Sequence, residues 1–291
     1  MPDPISVQVT RGSVVEARHR VHAVALDAEG RVVESAGDPE LVTFLRSSAK
    51  PLQALPLVRA HPEIPDQLLA IACASHLGRP EQLAAVRELL ALSSSTEADL
   101  ETGPEPTPIG HNCSGKHAGF LAVCRANGWQ THGYSELGHP LQQELLASVA
   151  DAAGLAPEQI PIAIDGCGVP TFALTLTCAA RFFGQIPHLD GGERVVSAMR
   201  AYPELLRGSL AADARLIGEL PGWVGKGGAE GLFCAVSPDG LTLALKSDGG
   251  AFRAVVPALA IFLSRLGIDP AGLGPTRVLN SHGVDVGSIS G

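Results

Sequence analysis

Apolar and polar residues alternate from Ile5 to Val9, and Val14 to Asp27 is rich in Val and His at period two. Alternation sends successive side chains to opposite faces, so both segments predict β-strands. Asp27-Ala28-Glu29-Gly30 reads as a turn into Arg31-Val32-Val33, which makes the opening antiparallel. The period then lengthens. Leu52 to Ala60 follows a helical pattern in which Pro51 suits a first turn and Pro56 predicts a kink. Leu68 to Cys73 is a short buried segment running into Ala74-Ser75-His76, and Glu81 to Leu92 is an amphipathic helix.

Thr102 to Pro108 is a proline-rich loop. Lys116 to Ala126 and Pro140 to Ala153 predict helices stopped by Gly128 and Gly154. Ile162 to Ile164 leads into the turn-like Asp165-Gly166-Cys167-Gly168, and Glu193 to Arg207 is helical again. Leu232 to Val236 and Leu241 to Leu245 flank Ser237-Pro238-Asp239-Gly240, a hairpin signal. The glycines at 222, 225, 227 and 228 read as tight turns before it. A last helix from about Ala254 to Leu266 precedes a short strand near Val278. Strand-bearing ends around a helical middle predict an α+β fold, an antiparallel sheet flanked by helices with a helical insertion. No repeat or linker divides the chain, so residues 1–291 are expected to form one domain.

Composition narrows the class. Hydrophobic residues are 45% and charged ones 18%, a globular balance, and the net charge of −9 with scattered basic residues argues against nucleic-acid or anionic-membrane surfaces. Met1 leads into Pro2-Asp3-Pro4 without a basic or apolar leader, and the apolar stretch near Val255 to Leu266 is too short to span a bilayer. A soluble, cytoplasmic protein is expected. The six cysteines lack paired short spacings and so read as reduced thiols. Cys124 and Cys178 sit in apolar runs as core residues, whereas Cys113 and Cys167 lie in polar, glycine-containing turns.

Candidate chemistry concentrates in a few short stretches. Ser47-x-x-Lys50 places a hydroxyl three residues from an amine, and a desolvated lysine near neutrality can take a serine proton. On spacing alone, Ser47 or Ser48 would cap a helix and Lys50 would face solvent. Ser48 lacks the spacing and is expected to matter less. Ser75 could end a strand, His76 could be a satisfied residue at a sheet edge, and Lys226 and Lys246 would lie at the surface. Gly110 to His117 nearly fits a phosphate-binding loop, but His117 stands where a hydroxyl must meet Mg²⁺ and no hydrophobic strand precedes it, so no nucleotide site is expected.

Ser47-x-x-Lys50-Pro51, Cys73-Ala74-Ser75-His76, Asn112-Cys113-Ser114-Gly115-Lys116-His117, Asp165-Gly166-Cys167-x-x-Pro170 and Val224-Gly225-Lys226 occur in this order. Together they closely resemble the rhizobial-type (thermolabile) L-asparaginase family, from about Gly12 to the C-terminus. The resemblance implies a fold like the serine β-lactamases and penicillin-binding proteins, and hydrolysis of L-asparagine to L-aspartate and ammonia by a cytoplasmic homodimer. It implies two pairs, Ser47 with Lys50 and Ser75 with Lys226, with Ser47 the acylated nucleophile. It implies Zn²⁺ on Cys113, Lys116 and Cys167 in a non-nucleophilic role, and no organic cofactor. Arg46 would bind the substrate α-carboxylate and Asp165 its α-amino group or a metal-bound water, with His76 and Asn112 also binding substrate. Leu77 and Arg79 depart from the family pattern, and the segment from Leu100 to His111 is short for it. A β-lactamase-like esterase or peptidase is the alternative enzyme. Against it, no Ser-Asp-Asn element occurs and Lys246-Ser247-Asp248-Gly249 is not Lys-Thr-Gly. A non-catalytic amino-acid- or metal-binding protein is the alternative outside enzymes.

Overall fold

The computed structural model describes residues 1–104 and 106–291; Glu105, in the predicted 102–108 loop, lies outside the described residues. The chain opens with strands β1 (Ile5–Arg11), β2 (Val14–Leu26), β3 (Val32–Ala36) and β4 (Val42–Phe44). Helices α1 (Lys50–Gln53), α2 (Leu55–Ala60), α3 (Asp66–Ala72), α4 (Pro80–Leu92), α5 (Ser114–Ala126) and α6 (Pro140–Ala153) follow. Strands β5 (Ile162–Ile164) and β6 (Pro170–Thr175) lead to α7 (Leu176–Gln185), α8 (Gly192–Ala201), α9 (Pro203–Leu206) and α10 (Ala212–Glu219). The chain closes with β7 (Val224–Gly227), β8 (Leu232–Val236), β9 (Thr242–Ser247), α11 (Val255–Arg265), β10 (Thr276–Leu279) and β11 (Asp285–Ser290). This is the α+β arrangement with a helical insertion that the hydrophobic pattern predicts. Among the described residues no helix is long and apolar enough to cross a membrane.

Two compact units form: Met1–Ser48 with Leu174–Gly184 and Arg215–Gly291, and Ala49–Ala173 with Gln185–Ala214. The first is built on an antiparallel sheet in the order β10-β11-β1-β2-β9-β8-β7, with β3 also paired to β2. The inner half of β2, Val21 to Leu26, pairs with β9 and, from Ala23 on, also with β3, and is buried throughout, while its outer half alternates. Helix α11 packs on β1, β2 and β9, supplying Val255, Leu259, Phe262 and Leu263 to the core. The predicted 237–240 turn is present, closed by Ser237 N–H to Leu241 O at 2.9 Å. The glycine-rich stretch read as turns instead forms β7, paired through Val224↔Val236 and Lys226↔Cys234. Four residues, two of them glycine, carry too few side chains to show a strand period. Strand β11 is hidden for a related reason: its two apolar residues, Val286 and Ile289, stand three apart and do not fit a period of two.

The second unit is the helical insertion. The helix predicted over 52–60 breaks at Ala54, with Pro51 and Pro56 each in the first turn of its own piece. The helix predicted over 193–207 breaks at Tyr202, because Pro203 lacks the N–H that would continue it. The short apolar segment before Ser75 is α3, a helix whose Leu68, Leu69, Ala70, Ile71 and Ala72 are all buried. Helix α5 packs against α3 so closely that a Cβ on Gly115 would overlap the Ile71 carbonyl. Cys124 is buried as expected, Cys178 is partly exposed, and no disulfide forms among the described residues.

Candidate active site

In the first unit, Arg46, Ser47 and Ser48 form a tight 3-10 turn over Arg46–Ala49. Arg46 has φ 49°, a left-handed conformation that costs a non-glycine residue about 1–3 kcal/mol and clusters at functional sites. Ser47 is half-buried. Neither serine caps a helix: α1 begins from Ala49 without a side-chain cap. Ser48 is instead fully buried, its Oγ donating to Lys226 O at 3.0 Å. Lys226 is 1% exposed in the middle of β7, contrary to a surface lysine, and its Nζ donates to Gly227 O at 3.2 Å. Lys246 is likewise engaged, donating to the carbonyls of Glu230 and Ser247.

In the second unit, Lys50 is 1% exposed, and its Nζ donates to Ala74 O and, at 3.1 Å, to Ser75 Oγ. Ser75 follows a helix rather than a strand, and its N–H donates to Leu206 O at 2.6 Å. His76 is buried rather than at a sheet edge. Its Nδ1 accepts from Gly78 N–H at 3.1 Å and its Nε2 lies 2.7 Å from Ser114 Oγ. Ser114 spends its own proton on Ile109 O at 2.7 Å, so His76 Nε2–H is the donor. Burial, then the Lys50 charge, pulls the His76 pKa down to about 4, so the ring is neutral at physiological pH.

A thiol–amine cluster lies in the same unit. Cys113 precedes α5, Lys116 sits in its first turn, and Cys167 lies in the bend between β5 and β6. All three are buried, against the weaker burial expected of the two cysteines. Lys116 Nζ lies 3.1 Å from Cys167 Sγ, and Cys113 hydrogen-bonds Cys167. That bond, outweighing burial, holds the Cys113 thiol well below its ordinary range, while it raises Cys167. The two sulfurs thus share one proton. Burial acts most strongly on Lys116 and lowers its pKa, but the charges of Cys167, Cys113 and Asp165 outweigh it, and the net shift is upward. Asp165 is part-buried, its Oδ1 accepting from Gly166 N–H at 2.6 Å. Asn112 is exposed, with Oδ1 3.3 Å from Cys113 Sγ, and its carbonyl accepts from His76 N–H at 3.1 Å.

Two buried thiols beside a lysine make a donor set that suits Zn²⁺, since thiolate is a favoured zinc ligand. Lys116 must lose its proton to join them. Among the described residues, no group of three or more His, Cys, Asp and Glu could hold a metal ion.

Supporting residues were not visible in the sequence. Gln82, fully buried, accepts from Leu77 and Arg79 N–H groups and fixes the loop after His76. Tyr134 OH accepts from Glu101 N–H at 2.8 Å and lies 2.8 Å from His117 Nδ1. Glu101 in turn accepts from Gly133 and Ser135. No local pattern joins residues this far apart in the chain.

A family model described as L-asparaginase II matches residues 7–290. No curated protein matches the chain. Three solved structures are similar over most of it. "Crystal Structure Analysis of Mglu" has 13% identity, covers 86% of this chain and 68% of that one, and has a TM-score of 0.49. An octameric penicillin-binding protein homologue from Pyrococcus abyssi has 12% identity, coverage of 86% and 74%, and a TM-score of 0.41. SurE with D-Leu has 15% identity, coverage of 89% and 74%, and a TM-score of 0.43.

Proposed function

The chain belongs to the L-asparaginase II family, hydrolases acting on the amide of asparagine, and on that premise we propose that it works through a serine–lysine acyl-enzyme. Lys50 takes the Ser47 proton, and Ser47 Oγ attacks the side-chain amide carbon of L-asparagine. The tetrahedral oxyanion is held by backbone N–H groups, a contribution of about 3 kcal/mol per donor. The C–N bond breaks as the nitrogen collects the proton from Lys50, and ammonia leaves. Water then hydrolyses the β-aspartyl ester and releases L-aspartate. Ser75 with Lys226 forms the second pair and relays the proton. The observation that supports this reading best is the burial of Lys50 with its Nζ on a serine hydroxyl, Ser75, at 3.1 Å. A buried amine beside hydroxyls is the chemistry a serine needs for activation.

Arg46 binds the substrate α-carboxylate as a planar fork, Asp165 the α-amino group, and His76 and Asn112 complete the recognition. Cys113, Lys116 and Cys167 are the residues that would hold Zn²⁺, which when bound supplies a fixed positive charge rather than the nucleophile. The protein works as a cytoplasmic homodimer. Ammonia release from L-asparagine by the purified protein tests the activity, and Ser47→Ala tests the nucleophile. A folded Ser47→Ala protein with near wild-type turnover would sink the assignment of Ser47.

A further inference from the structure

Ser48 has the sequence of a bystander and the surroundings of a keystone. It follows Ser47, its side chain is 0% exposed, and its N–H donates to Leu45 O at 2.9 Å. Its Oγ donates to the carbonyl of Lys226 at 3.0 Å. Cys234 is fully buried, and burial pushes its thiol up to about 12, so it stays protonated. Cys234 stands directly across the β7–β8 ladder from Lys226, so its side chain and that of Lys226 leave the sheet on the same face.

The turn and the strand also meet through backbone. A Cβ at Gly228, the residue after β7, would lie 2.6 Å from Leu45 O and 2.9 Å from Ser48 Oγ, so only glycine lets the chain leave β7 this close to the turn. The same turn carries the left-handed Arg46. A strained turn persists only where its surroundings hold it, and Ser48 is the side chain that reaches from it into the sheet.

We propose that Ser48 is a positioning residue for catalysis: through its hydrogen bond to Lys226 O it fixes the turn that presents Ser47 onto the strand that presents Lys226. This rests on the reading of Ser47 and Lys226 given above. A small hydroxyl is needed at 48 because it must donate to a buried carbonyl within the space that Gly228 leaves. Alanine removes this donor from a buried place.

The test is steady-state ammonia release by Ser47→Ala, Ser48→Ala, Ser48→Cys and Gly228→Ala, with the melting temperature of each. Ser48→Ala is expected to lower kcat by up to about 100-fold with KM little changed, because misplacement of a reacting group by a fraction of an ångström acts on turnover. Ser48→Cys, which keeps a weaker donor of similar size, should recover part of that loss. Gly228→Ala, whose methyl would press on Leu45 O and Ser48 Oγ, should lower kcat in the same way. A folded Ser48→Ala with wild-type kcat, while Ser47→Ala is dead, overturns the positioning role and leaves the proposed nucleophile standing. An active Ser47→Ala overturns both. Equal losses in Ser48→Ala and Ser48→Cys also overturn it, since the hydrogen bond would then not be what matters.

Discussion

Lys50 Nζ donates to Ser75 Oγ across 3.1 Å inside the helical unit, with both side chains all but closed to solvent. The two residues stand 25 positions apart and meet because α3 ends beside the first turn of α1 and hands the chain to Ser75. A lysine that shares a buried hydroxyl is held in one rotamer, and its proton has a defined place to go. Ser75→Ala should therefore lower turnover by about 10²–10⁴-fold, the usual contribution of a positioned proton-transfer group, with a much smaller change in KM. Rapid-quench or steady-state ammonia assays decide it. A drop confined to KM would make Ser75 a binding residue instead.

Metal content should follow the two thiols. Cys113→Ser and Cys167→Ser each remove a sulfur from the buried cluster around Lys116. Zinc per chain, read by elemental analysis of protein purified with zinc present, is expected to fall sharply in both variants, and substrate affinity to suffer more than turnover. Full zinc occupancy in both would clear these cysteines of any part in metal binding.

Stability should depend on pH through His76. Its folded pKa is lowered from 6.5 to about 4, chiefly by burial. Above 6.5 the ring is neutral in both states and costs nothing. As pH falls from 6.5 toward 4 the unfolded chain binds a proton that the folded one refuses, so stability is lost across that window, by about 3 kcal/mol at its end. In His76→Gln the part of the acid sensitivity between pH 4 and 6.5 should flatten. Chemical denaturation at a series of pH values measures the slope, and parallel curves for the two proteins would show that another group is responsible.

Gly115→Ala is expected to be far more costly than an alanine in a helix usually is. The added methyl would overlap the Ile71 carbonyl, so α5 must move off α3. Forced shifts of this kind cost about 1–3 kcal/mol, and α5 carries Lys116. A lower melting temperature together with weaker zinc retention is the expected pair of results. An unchanged melting temperature would mean the two helices are not packed as described.

Much of the fold is written in periodicity. The long alternating run of β2, the 237–240 hairpin and the helices α4, α5 and α6 each extend far enough for a period to show, and the structure has them at those places. Pro51 and Pro56 announced their own break, since a missing N–H acts locally. Proline at 203 acts in the same way, although the helical pattern of residues runs on across it. Strands β7 and β11 stayed hidden because short, glycine-bearing segments carry no period and become strands only when a neighbour supplies the ladder.

The site divides along the same line. Sequence alone determined which residue types stand in which order, from Ser47-x-x-Lys50 through the Asn112–His117 stretch to Lys226, because motif identity is a property of the chain. It did not determine burial. Read locally, Lys50, Lys226 and His76 are surface or edge residues, and each is 1% exposed. Nor did it assign Ser48 to the Lys226 carbonyl, Tyr134 to His117, or Gln82 to the loop after His76. Those pairings join residues whose separations carry no local signal. They exist only once sheet register and helix packing bring them within hydrogen-bond reach, and desolvation then shifts the His76 pKa.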